Sequence, residues 1–274
     1  MAEEIRIVQP KEYYKRFLEK DVRPDNRELA EFRPVVLNIG CVTTAEGSAL
    51  IKIGNTTVIC GVKAELAKPD ADQPKDGFIV PNVELPPLCS SNFRPGPPGE
   101  QAQVLSQTMA DVIADSQCLL SESLCICPGK LVWVLHIDLV CLDYDGNVMD
   151  ACMVALVSAL RNTVLPKVTV DEETGDIQTD PTTRVPLQVT CCPVATTFIV
   201  FDNKLLLVDP TREEESMATG AVTIVTEGDN LCSIYKPGGT PLTENQIDNC
   251  IERAFTHGRE VCRLIEDTLL SVDR

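Results

Sequence analysis

Gly47-Ser48-Ala49-Leu50-Ile51-Lys52-Ile53-Gly54-Asn55-Thr56-Thr57-Val58-Ile59-Cys60-Gly61-Val62-Lys63-Ala64-Glu65 holds two runs of strand-forming residues that meet at Gly54-Asn55. A Gly-Asn pair between two such runs reads as a β-hairpin, with strands over 48–53 and 56–65. Pro34–Thr43, set off by Ala45-Glu46-Gly47, supplies a strand before it and makes the unit a meander. Upstream, residues 9–21 have the spacing of a short amphipathic helix, with Tyr13 or Tyr14, Phe17 and Leu18 on one side. Arg23-Pro24-Asp25-Asn26-Arg27 has turn chemistry and ends it.

Downstream, 67–77 reads as a loop and Phe78–Leu85 as a strand. Five prolines and two glycines in Pro86–Gly99 exclude helix and central strand, leaving a stiff exposed loop that carries Arg94. Leu105, Met109, Val112, Ile113 and Ser116 recur at helical spacing, which predicts a helix over 100–117. Leu131–Leu142 reads as a buried strand, Asp143–Asn147 as a turn, and Val148–Arg161 as a helix that is apolar nearly all round. Residues 163–190 are rich in Thr, Asp and Pro and read as a long excursion. A second meander follows over Pro193–Phe201, Lys204–Val208, Gly220–Thr226 and Asn230–Tyr235. Thr243-Glu244-Asn245-Gln246 has the pattern of a capping box opening a last helix. Two meanders, each with helices to cover it, make the fold class α+β. The expected organisation is an N-terminal helix and entry segment over 1–30, a first half over 31–165, a connecting excursion over 166–190, and a second half over 191–274.

The chain has 274 residues, 44% of them apolar and only 4% aromatic, so the core must be built from Val, Leu, Ile, Ala and Cys. Its 24 basic and 41 acidic side chains give a formal charge of −17. That charge opposes broad adsorption to nucleic acid or anionic lipid, though not the threading of a polyanion past a few fixed cations. The longest apolar stretch is interrupted by His136 and Asp138 and is too short to span a bilayer, so no membrane segment is expected. Met1-Ala2-Glu3-Glu4 does not begin a secretory signal. The cysteine count is odd, 13, and Cys41, Cys60, Cys141 and Cys152 lie in apolar runs as small hydrophobes. A reducing compartment is therefore expected.

Several clusters could carry chemistry. In Asp209-Pro210-Thr211-Arg212-Glu213-Glu214-Glu215 the carboxylates either gather at a strand end, for a divalent cation or acid–base work, or form a solvated charged loop, the simpler expectation. Asp143, Asp145 and Asp150 around Gly146 lack the rest of a Ca²⁺ loop and read as a turn plus a carboxylate suited to a helix N-terminus. Cys125-Ile126-Cys127 and Cys191-Cys192 lack the spacing of a zinc site, and His136, in a central strand, reads as a core histidine. Arg94 is held on a stiff loop, where a guanidinium could meet phosphate or simply satisfy nearby carbonyls.

The stretch Gly47–Glu65 resembles the opening hairpin of RNase PH-type proteins. Arg23-Pro24-Asp25-Asn26-Arg27 is similar to that family's entry motif, with Asn26 in place of Gly. The Pro86–Glu100 loop with its helix, Asp143–Ala151, and Asp209-Pro210-Thr211 with the following glutamates match in the same order. Within the family the chain most resembles the RNase PH-like ring subunits of the eukaryotic RNA exosome, on the non-catalytic side of the ring. The resemblance implies an RNase PH fold (ribosomal protein S5 domain 2-like), with two halves packed together. It implies a six-membered ring with other RNase PH-like subunits, S1/KH cap proteins, a docked hydrolytic 3′→5′ exoribonuclease and single-stranded RNA in the channel. It also implies rRNA processing and mRNA decay in nucleus, nucleolus and cytoplasm. Active members carry Asp-Gly-Gly-Thr-Arg to hold phosphate, where this chain reads Asp145-Gly146-Asn147-Val148-Met149. Of their two acidic positions Asp209 matches the first, and Glu215 stands at the second. The resemblance thus implies a non-catalytic subunit with Arg94 as its RNA contact and no metal or cofactor. The alternative is an active phosphate-dependent 3′→5′ exoribonuclease; an adaptor outside any ring is a third reading.

Overall fold

The computed structural model describes residues 8–170 and 177–272; residues 1–7 of the expected N-terminal segment and 171–176 of the expected excursion lie outside these. The opening hairpin forms as read. β2 (Gly47–Ile53) pairs antiparallel with β3 (Thr56–Ala67), and β1 (Val35–Ile39) pairs with β2. β3 continues onto β6 (Leu131–Asp143), and β4 (Phe78–Glu84) lies parallel to β6 on its far side. The parallel pairing follows from the connection, because α2 (Glu100–Ser116) crosses over between those two strands. The short β5 (Cys125–Cys127) completes a six-stranded sheet. In the second half β10 (Leu205–Val208), β9 (Val194–Phe201), β11 (Gly220–Glu227) and β12 (Asn230–Tyr235) form a four-stranded antiparallel sheet in that order.

α3 (Val148–Arg161) is buried from Val148 to Leu160. Its apolar circumference has a physical cause: β2 and β3 cover one side and β9 the other, so the helix lies between the two sheets. The core around it joins residues of both halves, among them Ile51, Val62, Leu139, Leu156, Ala195 and Ile265. α5 (Glu244–Val272) covers β9, β11 and β1, whereas α1 (Pro10–Leu18) seats Tyr14 and Leu18 against a separate cluster with Phe201 and Leu207. No helix of the described residues is long and apolar enough to cross a membrane.

Four local expectations are revised. The excursion contains a two-stranded sheet, β7 (Val164–Val170) with β8 (Ile177–Pro186), in which Val164, Leu165, Val168 and Val170 give β7 its strand character. His136 is not a core histidine. β6 buries Leu135, Ile137 and Leu139 on one face, so His136 points to the other with a 41% exposed side chain, 3.9 Å from Glu65. Cys60, Cys141 and Cys152 are fully buried, but Cys41 is exposed just beyond β1. At Thr243 the Gln246 carboxamide oxygen accepts the Thr243 N–H at 3.0 Å, while the Gln246 N–H donates to the Thr243 carbonyl instead of its hydroxyl.

Gly47 begins β2 where the C-terminal end of α3 presses on the sheet. A Cβ there would meet the Thr163 hydroxyl and come within 2.6 Å of the Ala159 carbonyl. Gly47→Ala is expected to destabilise the fold by about 1–3 kcal/mol, the usual range for overpacking, as read from urea unfolding. An unchanged midpoint would show that this contact relaxes without cost.

Candidate functional site

The segments that frame the site are the ones singled out from sequence as turns and a charged loop. Asp209 follows β10 with a left-handed backbone, φ +43°, and Asn147 opens α3 with φ +52°. Asx side chains tolerate this conformation. Between them, Gly146 combines φ +76° with close approach, because a Cβ would lie 2.6 Å from the Arg212 nitrogen and the Thr211 carbonyl carbon. The turn before α3 and the turn after β10 are thus pressed together across the boundary between the halves.

The charged loop is not simply solvated, because two of its carboxylates are buried. Thr211 caps α4 (Arg212–Met217) with a complete capping box: Glu214 Oε2 accepts the Thr211 N–H at 2.9 Å and the Thr211 hydroxyl accepts the Glu214 N–H. Asp209 and Glu214 are each only 1% exposed. Burial of such carboxylates requires partners, and these are Arg23, Arg27 and Arg33, themselves buried. Arg33 forks onto Asp209, with Nη2 to Oδ1 at 2.7 Å and Nε to Oδ2 at 2.9 Å, and its backbone N–H adds a bond to Oδ2 at 2.8 Å. Arg27 Nη1 reaches Asp209 Oδ2 at 3.3 Å, and Arg23 Nη1 lies 3.5 Å from Glu214 Oε2. Arg23 Nη2 also donates to the carbonyls of Val208 and Leu29 at 2.5 and 2.8 Å. Composition had suggested none of this. The only signal was the pair of arginines flanking Pro24-Asp25-Asn26, and Arg33 next to the first strand.

At the start of α3 the backbone donor of the N-cap residue Asn147 is already taken. The Asn147 N–H donates to Glu215 Oε1 at 2.7 Å, and the Tyr144 hydroxyl donates to Glu215 Oε2 at 2.9 Å. Asn147 Nδ2 donates to Asp209 Oδ1 at 2.6 Å. Helix N-termini attract anions, and here the anion is a side chain of the same chain. Met149 is buried beside it. Asp143 and Asp145 do not converge with Asp150. Asp145 stays at the surface, its carbonyl accepting from Arg33 Nη1 at 2.9 Å, while Asp150 turns inward. The described residues contain no group of three or more His, Cys, Asp or Glu side chains placed to share a metal ion.

Electrostatics separates the carboxylates. Burial works against the Asp209 anion, but the Arg33 hydrogen bonds and charge outweigh it and hold its pKa below the usual carboxylate value. Burial raises Glu214 and Glu215. Asp150 is raised to about 7 by burial, although it accepts the Thr197 N–H at 2.9 Å and the Thr197 hydroxyl at 2.7 Å. Close by, His257 stacks on Phe32 with ring centres 3.8 Å apart, and burial lowers its pKa to about 4.

Arg94 lies apart from this cluster. It is exposed on the Pro-rich loop, beside a surface cleft of about 430 Å³ lined also by Phe93, Glu84 and Gln101, and makes no hydrogen bond or ion pair with the described residues.

Two family models match the chain: the 3′ exoribonuclease family domain 1 over residues 31–166 and domain 2 over residues 191–257. The chain is 42% identical to exosome complex component rrp43 of Schizosaccharomyces pombe over 248 residues, covering 90% of this chain and 92% of that one. It is 38% identical to exosome complex component Rrp42 of Pyrococcus furiosus over 260 residues, covering 94% and 93%. Among solved structures it superposes on a chain of the Archaeoglobus fulgidus exosome with RNA bound to the active site. That match has a TM-score of 0.82 and 34% identity, over 92% of this chain and 96% of that one. An archaeal exosome core matches with a TM-score of 0.81 and 32% identity, over 97% and 100%.

The raised Asp150 fixes the sign of a pH effect. The folded state keeps a proton that the unfolded chain releases from about pH 4 upward, so the associated stability is present at pH 4 and lost as pH rises through about 7. Asp150→Asn should remove that loss. From pH 4 to pH 8, urea unfolding should show wild type falling relative to the variant by roughly 2–4 kcal/mol. Parallel pH profiles would refute a raised Asp150.

Proposed function

Because this chain belongs to the 3′ exoribonuclease (RNase PH) family and carries both of its domains, we propose that it is a ring subunit of an RNA exosome that guides RNA without cleaving it. One observation carries the non-catalytic reading: the Asn147 N–H at the start of α3 is taken by the chain's own Glu215, and the buried arginines beside it are paired with Asp209 and Glu214. Phosphorolysis needs an inorganic phosphate held at a fixed point, and a helix N-terminus with an arginine suits that task. In this chain Met149 stands where RNase PH-type proteins carry that arginine, and no Lys or Arg occurs between Lys130 and Arg161. Arg23, Arg27 and Arg33 are spent on Asp209 and Glu214, and Arg212 turns its guanidinium to Asn92 Oδ1 at 2.8 Å. Placing phosphate beside Glu215 and Asp209 would bring anions together in a poorly solvated site. Losing a preorganised charge from a phosphoryl-transfer site costs several kcal/mol, or about two to three powers of ten in rate.

The relatives named as exosome components support the ring assignment and other RNase PH-like subunits as neighbours. Within this reading S1/KH cap proteins sit on the ring, a hydrolytic 3′→5′ exoribonuclease docks on it, and the assembly works in nucleus, nucleolus and cytoplasm. Residues 31–165 and 191–274 act as the two halves, joined through 166–190. Arg94 is the RNA contact: exposed, without a partner among the described residues and carried on a proline-stiffened loop, it can meet phosphate at little conformational cost. A net charge of −17 keeps RNA off the rest of the surface.

Purified chain incubated with single-stranded RNA, Mg²⁺ and phosphate is expected to release no nucleoside diphosphate; robust release would overturn the non-catalytic reading. Co-expressed with other RNase PH-like subunits it should enter a ring by native mass spectrometry, and a persistent monomer would refute ring membership. Arg94→Ala should leave that ring intact, weaken RNA binding and lower its salt slope by about 1, as expected for one phosphate contact. Unchanged RNA crosslinking in the variant ring would remove Arg94 from the path.

A further inference from the structure

Aromatic side chains are scarce in this chain, yet Phe93, the residue before Arg94, packs its ring at right angles to that of Tyr144, with centres 5.3 Å apart. Phe93 is half-buried and lines the surface cleft of about 430 Å³ together with Arg94, Glu84 and Gln101. The run from Pro95 to Gly99 forms another wall, where three prolines fix the backbone.

The Phe93 ring is held from behind. The Tyr144 hydroxyl donates to Glu215 Oε2 at 2.9 Å, and the Tyr144 N–H donates to the Cys89 carbonyl at 3.2 Å. Gln101 Nε2 lies 3.4 Å from the same hydroxyl. Next to Phe93 in the loop, Asn92 Oδ1 accepts from Arg212 Nη2 at 2.8 Å, and the Phe93 N–H donates to the Ser90 carbonyl at 3.2 Å. The turn before α3 and the first residue of α4 thus pin the loop on both sides of the ring. A ring presented at a set position loses little freedom when something packs on it.

We propose that this cleft is a nucleobase subsite, in which a base of single-stranded RNA stacks on the Phe93 ring while Arg94 holds the adjoining phosphate. The inference rests on the reading of Arg94 as an RNA contact and adds a grip on the base, which that arginine alone does not supply. A ribose separates base from phosphate, which suits a ring and a guanidinium on consecutive residues facing one cleft. Every base has a π-face, so stacking on an aromatic ring works for any sequence. Glu84, the last residue of β4, lines the same cleft; its carboxylate repels a second phosphate but accepts from the N–H groups of a base. Stacking also gives affinity that does not rest on charge, an advantage on a chain of net charge −17.

The test uses the ring assembled with other RNase PH-like subunits and measures binding of a single-stranded oligoadenylate, and of the same strand with abasic positions, against salt. Phe93→Ala should weaken oligoadenylate binding roughly five-fold or more, with the salt slope unchanged. Phe93→Leu, which keeps apolar bulk against Tyr144 but no ring, should weaken it as well, and Phe93→Tyr should restore it. On the abasic strand wild type and Phe93→Ala should bind alike, whereas Arg94→Ala should lower the salt slope with both strands. If Arg94→Ala weakens binding and the Phe93 variants do not, the base subsite is overturned and the phosphate contact stands. If neither position matters, both readings fall. A Phe93→Ala chain that folds but no longer enters the ring would make the cleft a subunit contact and overturn the proposal. Should that variant fail to fold, Phe93→Leu decides.

Discussion

The fork of Arg33 onto Asp209 ties together pieces of chain that no local rule would bring into contact: the segment before the first strand, the end of β10 and the start of α3. A buried carboxylate is tolerated only when its lone pairs are filled, and Asp209 accepts from Arg33, Arg27 and Asn147. Two residues of this cluster adopt a backbone conformation that is costly elsewhere. Asn147 and Asp209 are both left-handed, and Gly146 leaves room for the α4 turn to close against them. The helix between the sheets supplies the apolar cohesion, while this polar knot sets how the two halves meet.

The same knot bears on chemistry. A strand end, a helix N-terminus and three arginines are the parts from which anion sites are made. In this chain they are turned on one another: Glu215 occupies the helix N–H, Asp209 and Glu214 hold the guanidinium groups, and Met149 adds an apolar side chain. Arg94, which has no partner among the described residues, lies on a different part of the surface. The buried, paired charge and the exposed Arg94 are therefore separated in space.

Much of the fold was legible because it rests on short-range patterns. The Gly54-Asn55 hairpin, the helix after the Pro-rich loop, the all-round apolar α3 and the second meander lie within a few residues of their expected bounds. The α+β class and the RNase PH architecture followed from those patterns and from the order of motifs. Readings failed where exposure had to be inferred. His136 sits in a central strand but on its outer face, and period-two alternation alone does not say which face the core takes. The Asp209–Glu215 run looked like a solvated acidic loop because its counter-charges lie some 180 residues earlier in the chain.

Sequence alone determined the elements, the fold class and the residue types at each position, including Met149 in the first turn of α3. These follow from backbone propensity, turn chemistry and hydrophobic spacing, all local in the chain. Only the tertiary structure decided that Arg23, Arg27 and Arg33 face Asp209 and Glu214, and that Glu215 takes the Asn147 N–H. Those outcomes depend on which buried charges are close enough to satisfy each other once the sheets have packed around α3, and distance through space is not written in spacing along the chain.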